Sequence, residues 1–210
     1  MPTVPTFLAA QVRAAEAPLL AEGVPLMRRA AHALAQVIAE HHPKRMLVLV
    51  GAGDNGGDAL YAAAELEGVE VDVIRTSDRV HEAAIAAAID AGARVIDSVE
   101  PDGYDLVVDG ILGIGARGAL RGRAREIVST LLPSRPQVIA VDVPSGLDPD
   151  TGKVDDLVLP ADTTVTFGAV KHGLTTGAGP RLAGRVILVG LGLTLDAPAG
   201  RAAIEEVRQG

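Results

Sequence analysis

Four aspartates stand where chemistry could be done. Asp54 and Asp58 lie within the glycine-rich stretch GAGDNGGD (Gly51–Asp58), Asp109 opens GILGIGARG beyond it, and Asp142 precedes VPSG. Each segment follows a short aliphatic run that reads as a strand: Met46–Val50, Leu106–Asp109 and Val138–Asp142. Glycine lets a backbone approach a phosphate closely, and the free N–H groups of the helix expected from Asp58 would favour an anion. The same glycines also suit a tight turn with no ligand. The spacing is neither that of a Walker loop nor the dinucleotide fingerprint GxGxxG. Four acids beside a phosphate pocket would repel one another and the ligand. A bound cation would resolve that conflict, and oxygen donors from Asp, Asn and Ser suit a hard ion. Asp58 also reads as a helix cap, whereas Asp109 and Asp142, at strand ends, are poorer candidates for capping.

Other chemistries find less support. Pro144-Ser145-Gly146 lacks the glycine two residues before serine that a nucleophile elbow needs. His32, His41, His42, His81 and His172 form no triad or ligand pair in sequence, and His172 reads as a surface-loop residue. The absence of cysteine excludes a disulfide framework, a thiolate metal site and a cysteine nucleophile, and is compatible with a cytoplasmic setting. A net charge of -8 argues against a duplex nucleic-acid partner. Two Phe, two Tyr and no Trp leave little surface for base stacking. The run Arg117, Arg121, Arg123 and Arg125 reads as a solvated helix face, with a phosphate clamp as the sharper option. No signal peptide or membrane span is expected.

The elements that must position these residues follow from periodicity. Residues 8–22 and 24–42 read as two helices, the second carrying Leu26, Ala30, Leu34, Val37, Ile38 and His41 at helical spacing and stopped by Pro43. Strands are expected at 46–50, 69–74, 95–96, 106–109, 138–142, 163–167 and 185–189, and helices at 58–66, 81–91 and 123–132. Strands alternating with helices imply a doubly wound, mostly parallel α/β sheet. In such a sheet ligands bind beyond the carboxyl ends of the strands, so the three aspartate-bearing turns should meet there. Residues 1–195 are expected to form the domain and 196–210 a tail or truncated linker.

The segments VRAAEAPLLAEGVPLMRRAA, VGAGDNGGDAL, VVDGILGIGARG, VDVPSGLDPDTG and TVTFGAVKHGL together resemble the YjeF N-terminal domain family, the NAD(P)H-hydrate epimerases, across residues 8–192. The resemblance implies a three-layer Rossmann-like fold and interconversion of the R and S forms of hydrated NADH and NADPH, with a dehydratase as functional partner. It implies a substrate loop at Asp54, Asn55, Gly56, Gly57 and Asp58, and a second at Gly113, Ile114, Gly115, Ala116, Arg117, Gly118 and Ala119. A substrate-contacting aspartate falls on Asp142, and a potassium site on Asn55, Asp109 and Ser145. It also implies a homodimer, with the N-terminal helices as its natural interface. The family usually has Asn where Asp54 stands and often Gly where Ala59 stands.

For such a reaction the hydroxyl-bearing carbon beside the ring nitrogen would lose and regain water through an iminium-like cation, or the ring would open. Asp142 is expected to act as acid–base and cation-stabilising residue, with help from Lys171. Asp142→Asn is expected to cut turnover with little loss of fold. A non-catalytic nucleotide- or protein-binding module of the same fold is the alternative, and a dehydrogenase is disfavoured by the loop spacing.

Overall fold

The aliphatic run that follows Pro43 is buried from Met46 through Val50, as a strand covered on both faces must be. In the computed structural model, which describes residues 1–115 and 118–210, it is β2 (Arg45–Val50), paired in parallel with β3 (Glu70–Arg75) on one side and β5 (Leu106–Gly110) on the other. Beyond β3 lies β4 (Arg94–Ile96). Beyond β5 come β6 (Val138–Val141), β7 (Thr163–Phe167), β9 (Arg185–Gly190) and β11 (Glu206–Gln209), completing an eight-stranded sheet in the order β11-β9-β7-β6-β5-β2-β3-β4. Every pairing in it is parallel. The fold is the doubly wound α/β sheet expected from the alternation of elements.

Alternate strand residues serve opposite faces. Met46, Val48 and Val50 join one core cluster with Leu34, Leu60 and Ile85, carried by α2 (Leu26–Glu40), α3 (Asp54–Ala64) and α4 (Glu82–Asp90). Leu47 and Leu49 join a second cluster with Val128 and Leu131 of α5 (Gly122–Leu131). Of the helical stripe expected in α2, Leu26, Ala30, Leu34, Val37 and Ile38 are buried.

Three features differ from the sequence reading. First, α3 begins at Asp54 rather than Asp58, with Gly53 as its N-cap. The glycine-rich segment is therefore the first turn of a helix, and Asp58 is not its cap. Second, Thr3–Phe7 forms β1 ahead of α1 (Ala9–Ala21). Pro5 demotes such a run in sequence, but β8 (Val170–Lys171) pairs only with Thr6 and Phe7, so Pro5 faces a partner strand on one side alone. Third, residues 196–210 are not a loose tail. They contain β10 (Gly200–Ala203), antiparallel to β1, and β11, which extends the main sheet. No helix among the described residues is long and apolar enough to cross a membrane.

Candidate functional site

The chain runs from β2 outward to β3 and β4, then returns to the other side of β2 at β5. The carboxyl ends of β2 and β5 thus flank a topological switch point, where an open α/β sheet leaves a crevice. A cavity of about 700 Å³ lies there, lined among others by Asp54, Asn55, Asp58, Gly113 and Asp142. The three turns that follow β2, β5 and β6 do meet at one rim, and the volume suits a small-molecule ligand.

Asp142 follows the last residue of β6 with φ 67, in the left-handed region that non-glycine residues seldom enter. Its N–H donates to the Val165 carbonyl at 2.7 Å. Its Oδ1 accepts from the Thr166 hydroxyl and the Phe167 N–H, each at 3.2 Å, and from the Lys171 ammonium. Oδ2 has no protein partner among the described residues, so one oxygen is held and the other is left for a ligand. Lys171 is 1% exposed and does not line the cavity. It reaches Asp142 from behind, and also donates to the Phe167 carbonyl at 2.7 Å and the Thr166 hydroxyl at 3.2 Å. The pairing of β8 with β1 fixes its backbone. The charge of Asp142 is therefore balanced by this buried ammonium, which the sequence reading assigned to a cation alone.

In the first turn of α3, Asp54 and Asn55 face the cavity, as does Asp58 one turn on. Gly56 and Gly57 face the packing side instead. A Cβ on Gly56 would sit 2.4 Å from the Gly51 carbonyl oxygen, and one on Gly57 would meet the Met27 sulfur at 3.0 Å. Asp58 is buried, and its Oδ1 has no hydrogen-bond partner among the described residues. Burial, reinforced by the nearby charges of Asp142 and Asp54, pushes its carboxyl well above the usual range, towards the neutral form.

Asp109 is fully buried. Its Oδ1 accepts from the Ser145 hydroxyl at 2.6 Å and the Ile111 N–H at 3.3 Å, and its Oδ2 from the Ser145 N–H at 2.9 Å. Burial raises this carboxyl, and the Ser145 and Ile111 bonds pull it back down. The Leu112 N–H donates to Ser145 Oγ at 2.9 Å. The Asn55 amide oxygen faces the same turn, since a Cβ on Gly113 would lie 2.9 Å from it, and its buried Nδ2 has no partner among the described residues. This donor set is one carboxylate with neutral hydroxyl and amide oxygens, which fits a hard ion of low charge. Among the described residues no group of three or more His, Cys, Asp and Glu side chains is placed to hold a metal.

Of the second expected substrate loop, Gly113, Ile114 and Gly115 line the cavity. Gly118 faces a small neighbouring recess, Ala119 is half-buried beside it, and Ala116 and Arg117 lie outside the described residues. Two arginines of the run beyond are engaged elsewhere: Arg125 pairs with Asp156 at 2.8 Å, and Arg123 donates to the Asp97 carbonyl at 3.0 Å. His172 bonds Thr6 across the small sheet at 3.0 Å, His81 caps α4, and His32 pairs with Glu65 at the surface. Three charged residues of the cavity were not read from sequence as site residues: Arg13 and Glu16 of α1, and Arg79 of the loop after β3. Arg13 and Glu16 stand three apart and so share a helix face, which was the available signal.

Residues 23–173 match the family described as YjeF-related protein N-terminus. An NAD(P)H-hydrate epimerase of Microbacterium testaceum is 56% identical, covering 98% of this chain and 87% of that protein. A bifunctional NAD(P)H-hydrate repair enzyme of Mycobacterium tuberculosis is 42% identical over 88% of this chain, which spans 41% of that longer protein. A crystal structure of the yeast protein ynu0 superposes with a TM-score of 0.73 at 21% identity, covering 82% of this chain and 84% of that one.

Proposed function

The chain belongs to the YjeF-related N-terminal family, and on that premise we propose that it is an NAD(P)H-hydrate epimerase whose reaction takes place in the cavity between the ends of β2, β5 and β6. The enzyme interconverts the R and S forms of hydrated NADH and NADPH. The observation that carries the assignment of the site is Asp142: a buried carboxylate with one oxygen fixed by three donors and the other turned to a ligand-sized cavity.

The hydroxyl-bearing carbon of the substrate sits beside the ring nitrogen. When its C–O bond breaks, the nitrogen lone pair takes up the positive charge. Asp142 faces that charge and stabilises it, and its free oxygen exchanges a proton with the departing or arriving water. Lys171 is a positioning residue. It keeps Asp142 aimed, with its own donors directed at protein atoms. The N–H groups at the start of α3 favour the substrate's phosphates, and Arg13 and Arg79 add positive charge to the cavity wall. Burial pushes the Asp58 carboxyl towards its neutral form, which could offer the ligand a hydrogen bond. Asp54, where the family usually has Asn, stands in the first turn of α3, where a helix N-terminus favours an acid.

Asn55, Asp109 and Ser145 would hold a potassium ion. Bound there, it would supply positive charge against the acids. A dehydratase that consumes the S form, a homodimeric assembly and a cytoplasmic setting belong to the same reading.

The test is direct. Purified protein is given R-hydrate of NADH, and the two forms are separated by chromatography. An equilibrium mixture should form within the assay. Asp142→Asn should slow its formation by about 10²–10⁴-fold, the range for losing a positioned acid–base group. A variant as fast as wild type would remove Asp142 from the mechanism.

A further inference from the structure

Inverting a carbon that carries a hydroxyl needs work on both faces of the ring. The departing oxygen must receive a proton on one face, and an arriving water must lose one on the other. Asp142 is one carboxylate at the end of β6, and Lys171 lies behind it with its donors engaged. The second group must come from another wall of the cavity.

Helix α1 supplies such a group. Glu16 lines the same cavity as Asp142, is half-buried, and makes no hydrogen bond or ion pair among the described residues. Its backbone is nonetheless anchored. The Ala9 N–H at the start of α1 donates to Asp150 Oδ1 at 2.6 Å, the Gln11 amide donates to the Ala197 carbonyl at 2.9 Å, and Val12 is fully buried. A carboxyl group held facing a ligand cavity with no structural partner is placed to serve the ligand.

We propose that Glu16 is the second acid–base residue of the epimerisation, acting on the ring face turned away from Asp142. The inference rests on the epimerase reading above. In one direction Glu16 gives its proton to the hydroxyl oxygen. The C–O bonding pair leaves with that oxygen as water, and the ring-nitrogen lone pair forms the C=N bond. Water then adds to the other face. Its lone pair makes the new C–O bond, the C=N pair returns to nitrogen, and the surplus proton passes to Asp142. The substrate's composition is unchanged, and the reverse turnover or exchange with solvent restores both carboxyl groups.

The surroundings suit both roles. Burial lifts the Glu16 carboxyl above the usual range; Lys171 on β8 works against this, Asp142 and Asp54 add to it, and Arg13 on the same helix lowers it. Asp58 on α3 and Arg79 of the loop after β3 complete the charged groups of the cavity wall. Burial thus favours the protonated form of Glu16, the form that can give a proton to the departing oxygen.

The experiment compares wild type, Glu16→Gln and Glu16→Asp on R-hydrate of NADH across pH, with NADH binding and thermal melts as controls. Glu16→Gln should lower kcat about 10²-fold or more, keep NADH binding and melting temperature near wild type, and lose the pH limb set by the Glu16 carboxyl. Glu16→Asp should recover part of the rate. A Glu16→Gln enzyme with wild-type kcat and pH profile overturns the proposal. So does a loss of rate accompanied by equal loss of NADH binding and melting temperature, which marks a structural residue. If wild type itself leaves the hydrate unchanged, the epimerase reading fails with it, whereas an active wild type with an equally active Glu16→Gln sinks Glu16 alone.

Discussion

Asp142 and Lys171 show why a site residue found in sequence need not behave as sequence suggests. Asp142 was legible because it ends an aliphatic run before a turn. Its partner stands 29 residues away, and only the folding of β8 against β1 brings the ammonium behind it. A substitution at either residue therefore acts on stability as well as rate. Lys171→Met leaves a carboxylate 10% exposed with no counter-charge, and removing one partner of a buried pair costs about 3–5 kcal/mol. Denaturant titration should show that loss along with loss of turnover. Asp142→Asn keeps a residue type that tolerates positive φ, but it leaves the ammonium facing a neutral amide, so the small effect on fold expected from sequence gives way to measurable destabilisation. Asp58 should respond in the opposite sense. Its carboxyl is raised in the folded protein by burial first and by Asp142 and Asp54 next. The unfolded chain releases that proton at lower pH, so the contribution of Asp58 to stability is complete below the unfolded value and is lost as pH rises through the folded one. Asp58→Asn removes this loss. Thermal melts should show little difference near pH 4 and a gain at pH 8, of the order of the 0.5–2 kcal/mol typical of a single stabilising substitution, while affinity for the hydrate falls.

Gly56 and Gly57 look equivalent in sequence, yet α3 meets different neighbours at each. At Gly56 an added Cβ would lie 2.4 Å from the backbone oxygen of Gly51, with no flexible atom to give way. Gly56→Ala should cost at least about 1–3 kcal/mol as overpacking, and it should shift the helix start that carries Asn55. At Gly57 the nearest atoms are the sulfur and methyl of Met27, at 3.0 and 3.1 Å. A thioether can move, and replacing glycine by alanine inside a helix returns up to about 1 kcal/mol. Gly57→Ala should stay within about 1 kcal/mol of wild type in chemical denaturation. The main strands, the stripe of α2 and the meeting of three turns were all legible, because aliphatic runs and helical spacing are local signals. The helix start at Asp54 was hidden because Gly-Gly reads as loop when the packing that favours it is unseen. β1, β10 and β11 were hidden for a related reason. They are short, β10 and β11 bury no residue fully, and β1 contains a proline. Their identity comes from the strands they pair with.

Those end strands tie the whole molecule to its site. β10 pairs with β1, β1 pairs with β8, and β8 carries Lys171, so the last residues of the chain support the group that aims Asp142. β11 meanwhile covers the edge of β9, and the Arg29 guanidinium donates to the Gly210 carbonyl at 2.6 Å, fastening α2 to the final residue. Removing residues 196–210 should then act in two ways. It strips out Ile204, which is 3% exposed; losing a buried isoleucine side chain costs about 2–5 kcal/mol, or roughly 4–20 °C in melting temperature at about 2–4 °C per kcal/mol for a chain of this size. It also opens β9 as a free edge, which favours association between chains. A protein ending at Leu195 should melt earlier, aggregate more readily on heating, and epimerise hydrate more slowly even at temperatures where it remains folded, because β1 no longer has its antiparallel partner to hold β8 in register. Rates measured well below the new melting point separate these effects. A truncated chain that melts and turns over like the full one would show that Lys171 is held by the main sheet alone, and that the path from β10 to Asp142 carries no support.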